Sequence, residues 1–210
     1  ARARYHHDRG DQEAYARDLE RARTASRNLV NLGEIRLSEW KLHEAEMWFT
    51  RAIDSDPDWS EAYIGRANAR MWDGWFEGAI ADASEAIRVD PRSSLGYLTR
   101  GNARRARGDF EAAVRDYDEV IELANRLPEG WERQGALALA YAYRGVCRVE
   151  LGYPAGLEDC EKGVAVAPDY AEPYLFRAMA LVRLDRWDDG ERDLVRAVEC
   201  EGAWLTPEQR

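Results

Sequence analysis

The chain repeats itself, and the repeat decides most of what it can fold into. The stretch RGNARRARGDFEAAVRDYDEV from Arg100 restates RANARMWDGWFEGAIADASEA, which begins at Arg66, 34 residues earlier. RGVCRVELGYPAGLEDCEKGV from Arg144 and RAMALVRLDRWDDGERDLVRA from Arg177 follow the same template, as does RARYHHDRGDQEAYARDLERA from Arg2. Each unit holds two stretches of about a dozen residues with apolar positions at helical spacing. Between the two lies a breaker, Gly74, Gly108, Gly152 or the polar Asp185-Arg186. Pro154, just after Gly152-Tyr153, suits the first turn of a second helix, where its missing N–H costs nothing. Neither helix can bury its apolar face alone, so neighbouring units must stack. The repeat predicts an all-α fold of stacked antiparallel helix pairs, an α-solenoid.

Asp56-Pro57 and Asp90-Pro91, 34 residues apart, fix the register. In the unit starting at Ser26, positions 4, 7, 8, 20, 24 and 27 are Leu29, Leu32, Gly33, Ala45, Phe49 and Ala52. Units follow from Ser60, Ser94, Ala138 and Ala171, with Tyr63, Tyr97, Tyr141 and Tyr174 at position 4 and small residues Ala67, Gly101, Gly145 and Ala178 at position 8. This spacing resembles the tetratricopeptide repeat, although Arg36 stands where that pattern has tyrosine. The resemblance implies a right-handed superhelix. It divides the chain into a partial N-terminal repeat over 1–25, repeats over 26–59, 60–93 and 94–125, an insertion over 126–137, repeats over 138–170 and 171–202, and the start of a further helix or a tail over 203–210, all within one such domain.

Two irregularities stand out. Pro91 and Pro168 are 77 residues apart, nine more than two units, which places an insertion around Asn125–Gly135. Pro128 and Gly130 disfavour a continuous helix there, so a loop or helix extension is expected, in which Trp131 is either a local anchor packing it down, the preferred reading, or an exposed contact residue. The chain also starts at position 7 of a unit, and ends where Thr206, Pro207 and Glu208 announce a further helix, so it is expected to be a piece of a longer polypeptide.

Composition argues against several functions. Lysine and arginine total 30 against 40 acidic residues, a net charge of -10, which disfavours nucleic acid as a partner. No apolar run approaches the roughly 20 residues that span a bilayer, so membrane insertion is not expected. Cys147, Cys160 and Cys200 have no metal spacing and read as small buried thiols of a reducing compartment, with cytoplasm as the default. His6, His7 and His43 form no ligand cluster, and zinc-protease, nucleophile-elbow and phosphate-loop motifs are absent. The residues hold no catalytic constellation, no metal site and no cofactor site, so the chain by itself is not expected to be an enzyme.

Arginine forms the most regular polar pattern. Position 7 is Arg66, Arg100, Arg144 and Arg177, with Arg2 in the first unit, and position 23 is Asp82, Asp116, Asp159, Asp193 and Asp18. In the Ser26 unit both are missing, replaced by Leu32 and Trp48. Loss of both together points to ion pairs between the two helices of a unit, which makes these arginines poor anion sites.

The resemblance to tetratricopeptide repeats implies an inner groove lined by first-helix positions 2, 5, 9 and 12, with 6 and 13 nearby. On that basis the candidate partner-binding residues are Ile64, Asn68, Met71 and Trp72; Leu98, Asn102 and Arg105; Tyr143, Val146 and Val149; and Phe176 and Met179. They are expected to form one connected concave surface, most of it apolar, which marks a partner site rather than a solvated face. Asn68 and Asn102, both at position 9, offer a donor and an acceptor to a peptide backbone. Asn68 satisfies one place of the carboxylate clamp found in the family's co-chaperones, but Ile64, Thr99, Leu139 and Tyr143 occupy the others, so the clamp is absent. The expected role is a non-catalytic module that binds an apolar peptide or amphipathic helix, from another protein or from the rest of its own polypeptide. The alternatives are a regulatory region of a larger enzyme, such as a bacterial signalling kinase, and a self-assembling scaffold.

Overall fold

The computed structural model describes residues 12–202. Among them lie ten helices and no strand: α1 (Gln12–Ser38), α2 (Leu42–Ser55), α3 (Ser60–Trp72), α4 (Phe76–Val89), α5 (Ser94–Arg107), α6 (Phe110–Asn125), α7 (Trp131–Glu150), α8 (Gly156–Val166), α9 (Ala171–Arg183) and α10 (Trp187–Gly202). They fall into two compact units, one ending at Pro91 and the other beginning at Arg92.

Local chemistry punctuates the helices. Helices α2, α4 and α8 stop at Asp56, Asp90 and Ala167, whose extended backbones (φ -141°, -130° and -138°) each precede a proline. The proline ring disfavours the helical conformation in the residue before it, and proline has no N–H with which to continue the ladder. The turns inside the pairs use the left-handed region instead. Gly74, Gly108 and Gly152 adopt φ of 83°, 90° and 84°, where a side chain would be strained, and Trp40 (φ 59°) and Asp185 (φ 58°) take that conformation in the remaining pairs. Pro154 lies before α8, in a turn where the Leu157 N–H donates to its carbonyl, and not in the helix's first turn as expected.

In the first unit α1 packs on α2 and α3, and α3 on α2 and α4. Phe49 is fully buried between α1 and α3 because both present glycine to its ring: a Cβ on Gly33 or Gly65 would come within 2.6 or 2.2 Å of it. Leu37, Ala45 and Ala69 complete this core. Helix α1 runs without a break through the boundary expected at Ser26. Every other unit is preceded by a proline, but the sequence before Ser26 is ERARTA, rich in helix formers and without glycine or proline, so nothing ends the helix.

In the second unit α7 is central, packed on α6, α8 and α9, with α10 on α9 and α5 on α6. The extra residues near Trp131 lengthen a helix. Helix α7 begins seven residues before Ala138, after a short turn, and brings Leu137 into a core with Val120, Ile121, Ala124 and Ala140. Trp131 does not anchor this segment: it is 73% exposed. The first turn of α7 needs no anchor because Leu137, two turns later, supplies the burial.

Candidate partner-binding surface

The arginine–aspartate pairs expected within each unit form. Arg66 grips Asp82 through two hydrogen bonds of 2.9 and 2.7 Å, and Arg100, Arg144 and Arg177 hold Asp116, Asp159 and Asp193 at 2.8, 2.8 and 2.6 Å. A second arginine, one turn later, joins three of them. Arg70, Arg104 and Arg148 reach Asp82, Asp116 and Asp159 at 2.7, 2.8 and 2.6 Å, while Asp193 is shared with no such arginine because Leu181 stands there. The position-4 tyrosines Tyr63, Tyr97, Tyr141 and Tyr174 underlie the first guanidinium of each pair. All four carboxylates are buried. Burial opposes the Arg66 and Arg144 cations, but hydrogen bonds and charge from their aspartates outweigh it and raise both pKa values. These arginines are spoken for, as the joint loss at Leu32 and Trp48 implied. The proposed Arg2–Asp18 pair and the histidines His6 and His7 lie outside the described residues and side chains.

On α3 the four candidates separate. Ile64 is buried (5% exposed) against Tyr63 and Ala86, so it is core and not a contact residue. Asn68 and Met71 are half-buried. Trp72 is half-exposed and stacks on Trp40, with ring centroids 5.2 Å apart at 30°. Trp40 was no sequence candidate. Its position in the α1–α2 turn gave the only hint, since glycine takes that place in three other turns.

In the second unit the first helices α5, α7 and α9 bring together a second group. Tyr143 on α7 meets Phe176 on α9 edge to face, with centroids 4.4 Å apart. The Arg105 guanidinium from α5 lies over both rings, at 5.5 and 5.2 Å from their centroids. Asn102, one turn before Arg105, accepts a 2.9 Å hydrogen bond from the Tyr117 hydroxyl through Oδ1, which leaves its amide N–H groups for other acceptors. Tyr117 is fully buried and fits because residue 101 is glycine: a Cβ there would lie 2.7 Å from the ring. Leu98 packs partly against this core, and Met179, one turn after Phe176, is half-exposed. Val146 and Val149 do not belong to the surface. They are 4% and 5% exposed and form a core with Cys160 and Ala180, because α9 covers the α7 face that carries them.

The reactive groups nearby are quiet. Burial pushes the Cys147 and Cys160 thiols up to about 12, so neither is a nucleophile near neutrality. Burial also raises the Tyr143 hydroxyl, which stays a neutral donor. Among the described residues no group of His, Cys, Asp and Glu is placed to hold a metal ion, and no helix is long and apolar enough to cross a membrane.

No family model matches the chain. Solved structures do resemble it. One is TTC0263, described as a thermophilic TPR protein of Thermus thermophilus, with 20% identity, 83% of this chain and 91% of that one covered, and a TM-score of 0.70. PilF of Pseudomonas aeruginosa matches at 16% identity, with 85% and 78% covered and a TM-score of 0.68. YrrB, described as a TPR protein with an unusual peptide-binding site, matches at 15% identity, with 84% and 86% covered and a TM-score of 0.55. The chain therefore has the tetratricopeptide-repeat fold, an all-α solenoid architecture of stacked antiparallel helix pairs.

Proposed function

We propose that this chain is a non-catalytic interaction module whose first-helix faces hold an apolar peptide segment or amphipathic helix of another protein. The observation that carries the reading is the Arg105–Tyr143–Phe176 group, an aromatic platform with polar groups beside it and half-exposed Met179 at its edge. A largely apolar surface with a few oriented polar groups is what peptide recognition uses. Asn102, with its oxygen held by Tyr117, is set to donate to a peptide carbonyl. Trp72, stacked on Trp40, offers a similar platform in the first unit. YrrB, of the same fold, is named for a peptide-binding site, which lends support by analogy alone. The partner contacts proposed are Asn68, Met71 and Trp72 in one unit, and Leu98, Asn102, Arg105, Tyr143, Phe176 and Met179 in the other.

Selection from a displayed library of random peptides tests this. Met179→Asp alters a half-exposed side chain and should keep the wild-type melting transition. Trp72→Asp gives up the stack on Trp40 and should lower it modestly while leaving the protein folded. At least one of the two should lose about tenfold or more in affinity for the selected peptides. Normal binding by both folded variants would move the site elsewhere.

A second reading, self-assembly, is favoured by α10, where Leu194, Val195 and Val198 are exposed together on one side. Light scattering across a concentration series separates the two: a mass that stays at the monomer value with rising concentration removes self-assembly.

A further inference from the structure

The fate of the arginines says what chemistry the bound segment carries. Seven arginines on α3, α5, α7 and α9 hold the carboxylates of Asp82, Asp116, Asp159 and Asp193. Arg105 does not. Among the described residues no carboxylate forms an ion pair with it, its Nε–H is buried with no hydrogen-bond acceptor, and the neutral Tyr117 hydroxyl that meets the guanidinium brings no charge to it. Buried polar groups almost always find partners, and a charged donor without one loses more than a neutral donor does. Glu172, which is close enough to Tyr143 to influence its hydroxyl, is exposed and makes no ion pair with Arg105. In a chain of net charge -10, an unneutralised cation held on an aromatic platform is an unmet demand for an anion.

We propose that Arg105 is the receptor for the carboxylate of an Asp or Glu side chain in the bound segment, flanked there by apolar residues. This rests on the groove reading above. The rings of Tyr143 and Phe176 hold the guanidinium in place without neutralising it, so little side-chain entropy is lost when a carboxylate arrives. A single planar guanidinium fork matches a carboxylate through two parallel hydrogen bonds. Leu98, two turns before Arg105 on α5, and half-exposed Met179, one turn after Phe176 on α9, supply apolar surface on the helices that carry the group, which suits an acid with apolar neighbours.

The test uses the whole chain and random peptides tethered at both ends, so that only internal side chains supply carboxylates. Selected peptides should carry Asp or Glu with apolar neighbours, and replacing that acid by its amide should weaken binding about tenfold, with a steeper salt dependence for the acidic form. Arg105→Met, which keeps an unbranched apolar stem but removes the guanidinium, should lose this acid-over-amide discrimination while still binding the amide peptide; Arg105→Lys should keep part of it. Selection without acidic residues, or unchanged discrimination in folded Arg105→Met and Arg105→Lys, overturns the assignment and leaves the groove reading standing. Recovery of binders only from a parallel library with free C-termini also overturns it, in favour of a terminal carboxylate. Failure of every peptide to bind defeats the groove reading and this assignment together.

Discussion

Asp116 and Asp193 look alike in sequence and differ in what would happen if their arginines were removed. Asp116 is held by Arg100 and Arg104 together, whereas Asp193 is held by Arg177. Removing one partner of a buried pair strands the other charge, at a cost of about 3–5 kcal/mol. Arg177→Leu should cost that much in denaturant unfolding, and Arg100→Leu should cost less because Arg104 still neutralises Asp116. A double-mutant cycle on Arg100→Leu and Asp116→Leu should be non-additive; additivity, or Arg100→Leu costing more than Arg177→Leu, would contradict the shared-carboxylate geometry. The pairing of positions 7 and 23 was legible because both members vanish together at Leu32 and Trp48. The second arginine was not, since one more Arg on a charged helix carries no signal until a carboxylate is seen beneath it. The same limit misplaced Ile64, Val146 and Val149: helical periodicity names a face but not which part of it the next helix covers. Val146→Glu would therefore bury an unpaired charge in the Cys160–Ala180 core and is expected to destabilise by more than about 3 kcal/mol, while Met179→Glu should stay within about 0.5 kcal/mol.

At the scale of elements, the helices follow their terminators. Where proline or a left-handed glycine stands, the chain ends a helix on cue, and those residues could be read directly; Trp40, which takes the same left-handed turn, could not. Where the repeat register implied a break but the sequence supplied no breaker, before Ser26, α1 continues. Proline at the exposed Ala25 discriminates between these descriptions. In a continuous helix it removes a backbone hydrogen bond and clashes with the preceding turn, costing about 3 kcal/mol or more; a helix boundary at that point would tolerate it with little change in stability or helical circular dichroism. The extension of α7 makes a similar contrast. Trp131→Ala should shift stability by no more than about 0.5 kcal/mol, and Leu137→Ala, which empties a core position, by about 2–5 kcal/mol. The sequence left Trp131 as either an anchor or an exposed contact residue; burial went to Leu137 because that residue falls on the face of α7 turned toward Val120 and Ile121.

For the molecule as a whole, the three cysteines all lie in the second unit, and two of them, Cys147 and Cys160, give that unit a dependence on alkaline pH. Cys147 lies in a core with Ala113 and Tyr117, and the Cys160 thiol points at the Ala142 carbonyl 3.6 Å away, an arrangement that suits a neutral thiol and opposes a thiolate. Burial raises both from an ordinary value of 9.0 to about 12. The sign follows from proton binding. Between pH 9 and 12 the folded thiols keep their protons while the unfolded ones release theirs, so the folded state binds more protons and stability falls as pH rises, by up to about 1.4 kcal/mol per pH unit for each thiol. Below pH 9 both states are protonated and these groups contribute no slope. Tyr117, raised well above its ordinary value chiefly by burial, adds to the same trend at the upper end. Urea unfolding monitored across this range should show the midpoint dropping steadily above pH 9, and the Cys147→Ala/Cys160→Ala double variant, less stable at neutral pH because of lost packing, should show a shallower drop. Identical slopes in the two proteins would mean that the thiols are not desolvated as the structure places them. Alkylation offers an independent reading of the same burial: native protein at mildly alkaline pH should leave Cys147 and Cys160 unlabelled, whereas denatured protein should label both completely.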